Sequence, residues 1–187
     1  MLAQNSVPTV YLSYAAANRG EAERMRRLLE AIGVVVVSAD SSVHAGERTL
    51  ESVRSAIFSA SVVFVLVGPK TRVSRWVDQE IALAIQASPS HAPAGLVAVI
   101  LPEHEDYSRP YYDPENVPLR IHDHVSRESA ILRKWTEDPA EIRRWIADAI
   151  RRRQRYPSPS VNFSTQSALG RFAWDESADQ AALGHQS

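Results

Sequence analysis

The sequence predicts an α/β fold: a flavodoxin-like, doubly wound parallel sheet of about five strands with flanking helices. Two observations predict it. Short apolar runs at residues 9–14, 34–37, 62–67 and 96–101 alternate with segments whose apolar residues recur at helical spacing. In addition, the run at 34–37 is apolar at every position, the signature of a strand covered on both faces. Alternating strands and helices of this length join parallel strands by crossovers on both faces of one sheet.

The elements follow in order. After Pro8, residues 9–14 (TVYLSY) are β-branched, apolar and aromatic, and form the first strand. From Glu21 the period changes, with Ala22, Met25, Leu28, Leu29 and Ile32 on one face and Arg24, Arg26, Arg27 and Glu30 on the wet side. Gly33 stops that helix. The second strand is 34–37, and 38–46 is a polar loop. Leu50, Val53, Ile57 and Ala60 make a second helical stripe, 62–67 the third strand, and a third helix runs from about Arg75 to Ala87. A Pro/Ser/His linker leads to the fourth strand at 96–101. Residues 103–118 are acidic, tyrosine-rich and broken by proline, and read as a long loop. Leu119-Arg120-Ile121 reads as a short edge strand. Pro139 opens a last helix, with Ile142, Trp145, Ile146, Ala149 and Ile150 inward and the cations of 151–155 at its carboxyl end.

The chain has 187 residues, of which 44% are hydrophobic, which suits one compact domain with an appended segment. We place the domain at 1–156 and a Ser/Pro/Gln-rich tail, expected to be largely disordered, at 157–187. Phe163, Phe172 and Trp174 are unusual for a pure linker. A formal charge of −1 and a pI near 6.6 argue against a dedicated nucleic-acid binder. The absence of cysteine removes disulfides and thiolate metal sites. The first residues open no apolar signal segment, and no run approaches the ~20 apolar residues of a membrane span. The expectation is a soluble, cytoplasmic protein without membrane association.

Four loops leave one rim of such a sheet, after Tyr14, Val37, Val67 and Leu101. The first carries Ser13, Tyr14 and Asn18; the second Ser38, Asp40, His44, Gly46 and Glu47; the third Gly68, Lys70, Thr71 and Ser74. None matches the glycine-rich phosphate loops of P-loop or dinucleotide-binding proteins. On the third helix, Val77, Ile81, Ala84 and Ile85 form the buried stripe. Glu80 falls roughly 85° from its centre with Trp76 on the same flank, and Asp78 roughly 75° away on the opposite flank. Geometry leaves two edge acids, either of them a solvated surface residue or a half-buried group with a chemical role. His122-Asp123-His124 has the look of a metal pair, but no third ligand stands at a recognisable spacing, so no metal is expected. A phospho-receiver site is disfavoured, because the region after the third strand reads Gly-Pro-Lys where an aspartate is needed. Tyr107, Tyr111 and Tyr112 lie in the long loop, placed either to roof a nucleotide or simply on the surface.

Several of these segments carry a family likeness. Residues 10–14 (VYLSY), the loop 40–46, the run 68–81 (GPKTRVSRWVDQEI) and the segment 116–123 (NVPLRIHD) resemble TIR domains, in particular the TIR-like group typified by the TIR subunit of Thoeris antiphage systems. The threonine, serine, tryptophan and glutamate of 68–81 are the most specific part, and the likeness spans about residues 8–153. It implies the TIR fold, with Glu80 as catalytic residue and Ser13, Tyr14, Asn18, Asp40, Gly46, Thr71, Ser74 and Trp76 as the substrate-binding set. It further implies cleavage of NAD between nicotinamide and ribose, NAD being the substrate and no cofactor being needed. A cyclic ADP-ribose-type signal, a separate nucleotide-sensing effector and a homo-oligomer complete that picture. The alternative is a non-catalytic TIR assembly module. Many TIR domains carry an acid shortly after the first-strand Ser-Tyr, where this chain has Ala15-Ala16-Ala17-Asn18-Arg19; here Asn18 is placed to bond a ribose or to cap the helix.

Overall fold

The computed structural model describes residues 7–38, 49–86 and 92–155. Five strands form one parallel sheet in the order β2-β1-β3-β4-β5. They are β1 (Thr9–Tyr14), β2 (Val35–Val37), β3 (Val62–Val67), β4 (Gly95–Ile100) and β5 (Ala130–Lys134). The helices are α1 (Arg19–Ala31), α2 (Leu50–Ser59), α3 (Arg75–Ala84), α4 (Leu119–Ser126) and α5 (Pro139–Arg155). Two apolar clusters sandwich the sheet. On one face Ala22, Met25 and Leu29 of α1 and Ile142, Trp145 and Ile146 of α5 pack on Val10, Leu12, Phe64 and Val97. On the other, Val53 and Ile57 of α2, Val77 and Ile81 of α3 and Ile121 of α4 pack on Tyr11, Val63, Val65 and Ala98. The period-2 alternation of each strand supplies both faces at once, which is why β3 and β4 are buried at every residue.

Local chemistry sets the boundaries. Gly33, at φ +81°, ends α1 in a Schellman motif: its N–H donates to the Glu30 carbonyl and that of Val34 to the Leu29 carbonyl, both at 3.0 Å. Thr49 caps α2 reciprocally with Ser52, and Ser74 caps α3 by accepting from the Val77 N–H at 3.3 Å.

Three sequence expectations are corrected. Leu119-Arg120-Ile121 is not a strand but the first turn of α4, whose Ile121 and Val125, four apart, face the core. The fifth strand lies further on, at Ala130–Lys134, paired with β4. The all-valine second strand is not covered on both faces: it pairs with β1 alone, at a sheet edge, and Val35 is 49% exposed. The third helix ends at Ala84, three residues short of the expected Ala87, where Ile85 closes it. The expected domain boundary and the segment 157–187 lie outside the described residues.

Candidate active site

Glu80 lies in the second turn of α3, and its direction follows from the stripe that buries the helix. Val77 and Ile81 face β3, so the Glu80 flank turns toward β1 while the Asp78 flank turns toward α4. On β1, Tyr11 and Ser13 are two apart and share the face turned to α3. The Tyr11 hydroxyl donates to Glu80 Oε1 and the Ser13 hydroxyl to Oε2, both at 2.5 Å. All three side chains are buried, Glu80 and Ser13 at 0% exposure. Asp78 takes the opposite course. Half exposed, it accepts from Arg120 Nε of α4 at 2.8 Å. Opposite flanks were legible from the helical wheel, but Glu80 is not half out of water as expected. A wheel counts one covering surface, and α3 has three, because α2 and α4 pack beside it while the sheet lies beneath.

The remaining expected site residues divide. Trp76, half-buried, packs on the same apolar cluster one turn before Glu80. Tyr14 points to the other face of the sheet and packs with the α1/α5 cluster, so it is not brought to Glu80. Thr71 is buried and its hydroxyl is used within the turn, donating to the Leu66 carbonyl at 3.1 Å and accepting from the Gly68 N–H at 2.9 Å. Ser74 is spent on the α3 cap. Both hold the strand-to-helix turn in place. Asn18 makes no side-chain cap to α1; its Nδ2 donates to Glu103 at 2.8 Å across the rim. Asp40 and Gly46 lie outside the described residues, as do His44 and Glu47. Sequence reasoning missed Tyr11 and Glu103. Tyr11 was within reach, since strand alternation puts it on the face of Ser13. Glu103 had no signal, because nothing in the chain couples the fourth rim loop to the first.

The long loop after β4 is built around two buried side chains, His104, whose ring meets the Asn116 carbonyl and the Asp106 N–H, and Asp106. Asp106 Oδ1 accepts from Arg109 at 2.9 Å and Asn116 at 3.3 Å, and Oδ2 from the Asp113 N–H at 2.9 Å. Burial pushes the Asp106 carboxyl up, but the Asp113 and Asn116 hydrogen bonds and the charges of His104 and Arg109 outweigh it and hold the carboxyl below the usual range. The loop tyrosines do not converge. Tyr111 is exposed, Tyr112 bonds His122 Nδ1 at 3.1 Å, and Tyr107 lies beneath the Lys134 ammonium. His122 and His124 are likewise used apart, the latter meeting the Ser129 hydroxyl at 2.8 Å. No group of three or more candidate metal ligands occurs among the described residues.

A wide surface groove of about 650 Å³ runs between β5 and α5, lined by Arg133, Trp135, Arg144, Trp145 and Arg151 among others. It lies on the α1/α5 side of the sheet, away from Glu80, and contains no residue of the candidate site. Among the described residues no helix is long and apolar enough to cross a membrane.

The strand order β2-β1-β3-β4-β5 and a carboxylate held under the carboxyl end of β1 define an α/β protein of the flavodoxin-like class, with its switch point between β1 and β3. A family model described as TIR domain matches residues 10–146, and the chain belongs to that family. No curated protein matches. Among solved structures, the chain is similar to the TIR domains in "Structure of the activated Roq1 resistosome directly recognizing the pathogen effector XopQ", at 14% identity over 94% of this chain and 97% of that one, with a TM-score of 0.44.

Proposed function

We propose that this TIR domain is an NAD-consuming enzyme that cleaves the nicotinamide–ribose bond, with Glu80 as its catalytic residue. The supporting observation is a carboxylate enclosed in an apolar face and held at both oxygens by hydroxyls from β1, an expensive group to place in a core. One carboxylate is enough for this chemistry. The nicotinamide ring nitrogen of NAD is already cationic, so the glycosidic electron pair moves onto it and nicotinamide leaves neutral, without a general acid. The remaining task is to stabilise an oxocarbenium-like ribose, which a preorganised carboxylate performs electrostatically. Water as acceptor gives ADP-ribose and a proton; an acceptor within the nucleotide gives a cyclic isomer. We assign the cyclic ADP-ribose-type product, read by a separate nucleotide-sensing effector in antiphage defence, with no cofactor. Because Glu80 is fully enclosed, turnover requires a state in which its flank is uncovered, and homo-oligomeric assembly is the proposed trigger.

The second reading, a non-catalytic assembly module, is favoured by that same enclosure, since a carboxylate with both oxygens satisfied also serves as a structural tie between β1 and α3. Incubating the purified chain with NAD, alone and assembled, and following nicotinamide release and product mass separates the two. The enzyme reading expects release that falls about 10²-fold or more in Glu80→Gln and survives in Asp78→Asn. Equal turnover by Glu80→Gln removes the assignment of Glu80. Assembly without any release establishes the module instead.

A further inference from the structure

At the switch point β1 and β3 lie side by side, and the helices that follow them leave to opposite faces of the sheet. This opens a crevice at the carboxyl ends of the strands, where open α/β sheets receive ligands. Three rim residues meet there: Asn18 after β1, Gly68 after β3 and Glu103 after β4. Asn18 is only 4% exposed. A carboxylate only accepts hydrogen bonds, so the Asn18 amide nitrogen must be the atom facing Glu103, at 2.8 Å. The whole amide lies against Gly68, where a Cβ would stand 2.4, 2.6 and 2.8 Å from its oxygen, nitrogen and carbon. Among the described residues no donor meets that buried oxygen, an arrangement that costs stability. Glu103 is exposed at the rim and forms no ion pair among the described residues; neither Arg19, which opens α1, nor Lys70, in the loop after β3, bonds it. Among the described residues, then, an amide oxygen without a donor accompanies a carboxylate without a cation at the mouth of the switch-point crevice.

We propose that Glu103, oriented by Asn18 over Gly68, takes the hydroxyls of a ribose and makes this site select NAD over its 2′-phosphorylated form. The inference rests on the NAD reading above. A carboxylate accepts protons from a vicinal diol, the pairing by which an acidic rim residue recognises a ribose 2′-hydroxyl in dinucleotide folds. It repels a phosphate at the same position, and juxtaposed like charges cost enough to exclude a ligand. Glu103 touches substrate in this scheme; Asn18 and Gly68 are positioning residues that act through it.

The test is calorimetric titration of the full-length chain, carrying Glu80→Gln so that neither ligand is consumed, with NAD and with NADP. The parent is expected to bind NAD about tenfold or more tightly than NADP. Glu103→Gln should bring the two within about threefold, chiefly by tightening NADP. Asn18→Ala should move the ratio the same way, whereas a merely structural role would weaken both ligands alike and leave the ratio in place. Should Asn18→Ala not fold, the exposed Glu103 position still gives the answer. A parent without preference, or a ratio unmoved by Glu103→Gln, overturns this inference alone. With the titrations run on the chain both alone and assembled, binding of neither ligand in either state overturns it together with the NAD reading.

Discussion

Replacing Tyr11 by phenylalanine tests whether the contact between β1 and α3 is a real hydrogen bond to a buried carboxylate. The ring is 1% exposed, and phenylalanine preserves its packing against Val53 and Ile81 while deleting one oxygen. That oxygen lies 2.5 Å from Glu80 Oε1. Its loss leaves a buried acceptor short of a donor, at a cost of about 1–3 kcal/mol. For a domain of this size 1 kcal/mol moves Tm by about 2–4 °C, so the midpoint of that range corresponds to a fall of about 4–8 °C. Urea unfolding followed by tryptophan fluorescence measures the effect as a lower Cm at constant m. A Glu80→Leu background completes the cycle. With no carboxylate to satisfy, Tyr11→Phe should then cost little, giving a coupling energy of about 1–2 kcal/mol. A loss below about 0.5 kcal/mol, or the same loss in both backgrounds, refutes the reasoning.

Two further outcomes are expected. Because the Asp106 carboxyl sits below its usual range when folded, it contributes stability that is fully present above the unfolded carboxyl pKa and lost as pH falls through the folded one. Cm measured from neutral to acid pH should therefore fall less steeply in Asp106→Asn than in the parent, and an unchanged acid slope contradicts the assignment. Gly95 lies so close to α5 that a Cβ would stand 2.8 Å from the backbone carbon and oxygen of Ala149. Gly95→Val should cost about 1–3 kcal/mol or more by denaturant unfolding, since backbone on a packed helix yields less than a side-chain tip; a neutral result would mean that α5 shifts freely.

Much of the frame was legible because single residues announce it. Gly33 marks the end of α1 by its need for positive φ, Ser74 marks the start of α3 by its cap, and the unbroken apolar run of residues 62–67 marks β3. The edges were not legible. Val35–Val37 has the composition of a central strand, yet only the strand order, a long-range property, decides that β2 has one neighbour. Leu119-Arg120-Ile121 is too short to distinguish a period of 2 from 3.6, and the helix emerges only when Ile121 and Val125 are seen to share a face. The family match reaches residue 146 and supports the TIR fold read from the strand-turn-helix run. Within the site, the flank of Glu80 was a matter of local geometry, whereas its enclosure depends on α2, α4 and β1 closing around α3. The pairing of Asn18 with Glu103 spans 85 residues, and no local signal encodes it.

The way Glu80 is held limits how it can be reached. Tyr11 and Ser13 stand on β1, which is hydrogen-bonded to β2 on one edge and to β3 on the other. Withdrawing the two hydroxyls by moving their backbone would break two ladders at the centre of the sheet. α3 is tied differently. Its backbone bonds are internal apart from the Ala84 carbonyl, which accepts from the Ala94 N–H at 2.9 Å, and its side chains join it to its neighbours by packing, by the Tyr11 and Ser13 hydrogen bonds to Glu80 and by the half-exposed Asp78–Arg120 pair, itself worth at most about 1 kcal/mol. Moving α3 would carry Glu80 off Tyr11 and Ser13, so the route that keeps the carboxylate in place is displacement of α2 or α4, and under the proposed function an assembly contact acts there while β1 and α3 stay fixed. Strand β1 then has a double part. Its alternating side chains hold the carboxylate beneath the rim, and the chain leaving its end carries Asn18 to Glu103 at the rim itself. A site referenced to a strand paired on both edges keeps its geometry while its cover moves, the condition that the proposed stabilisation of a short-lived cation demands.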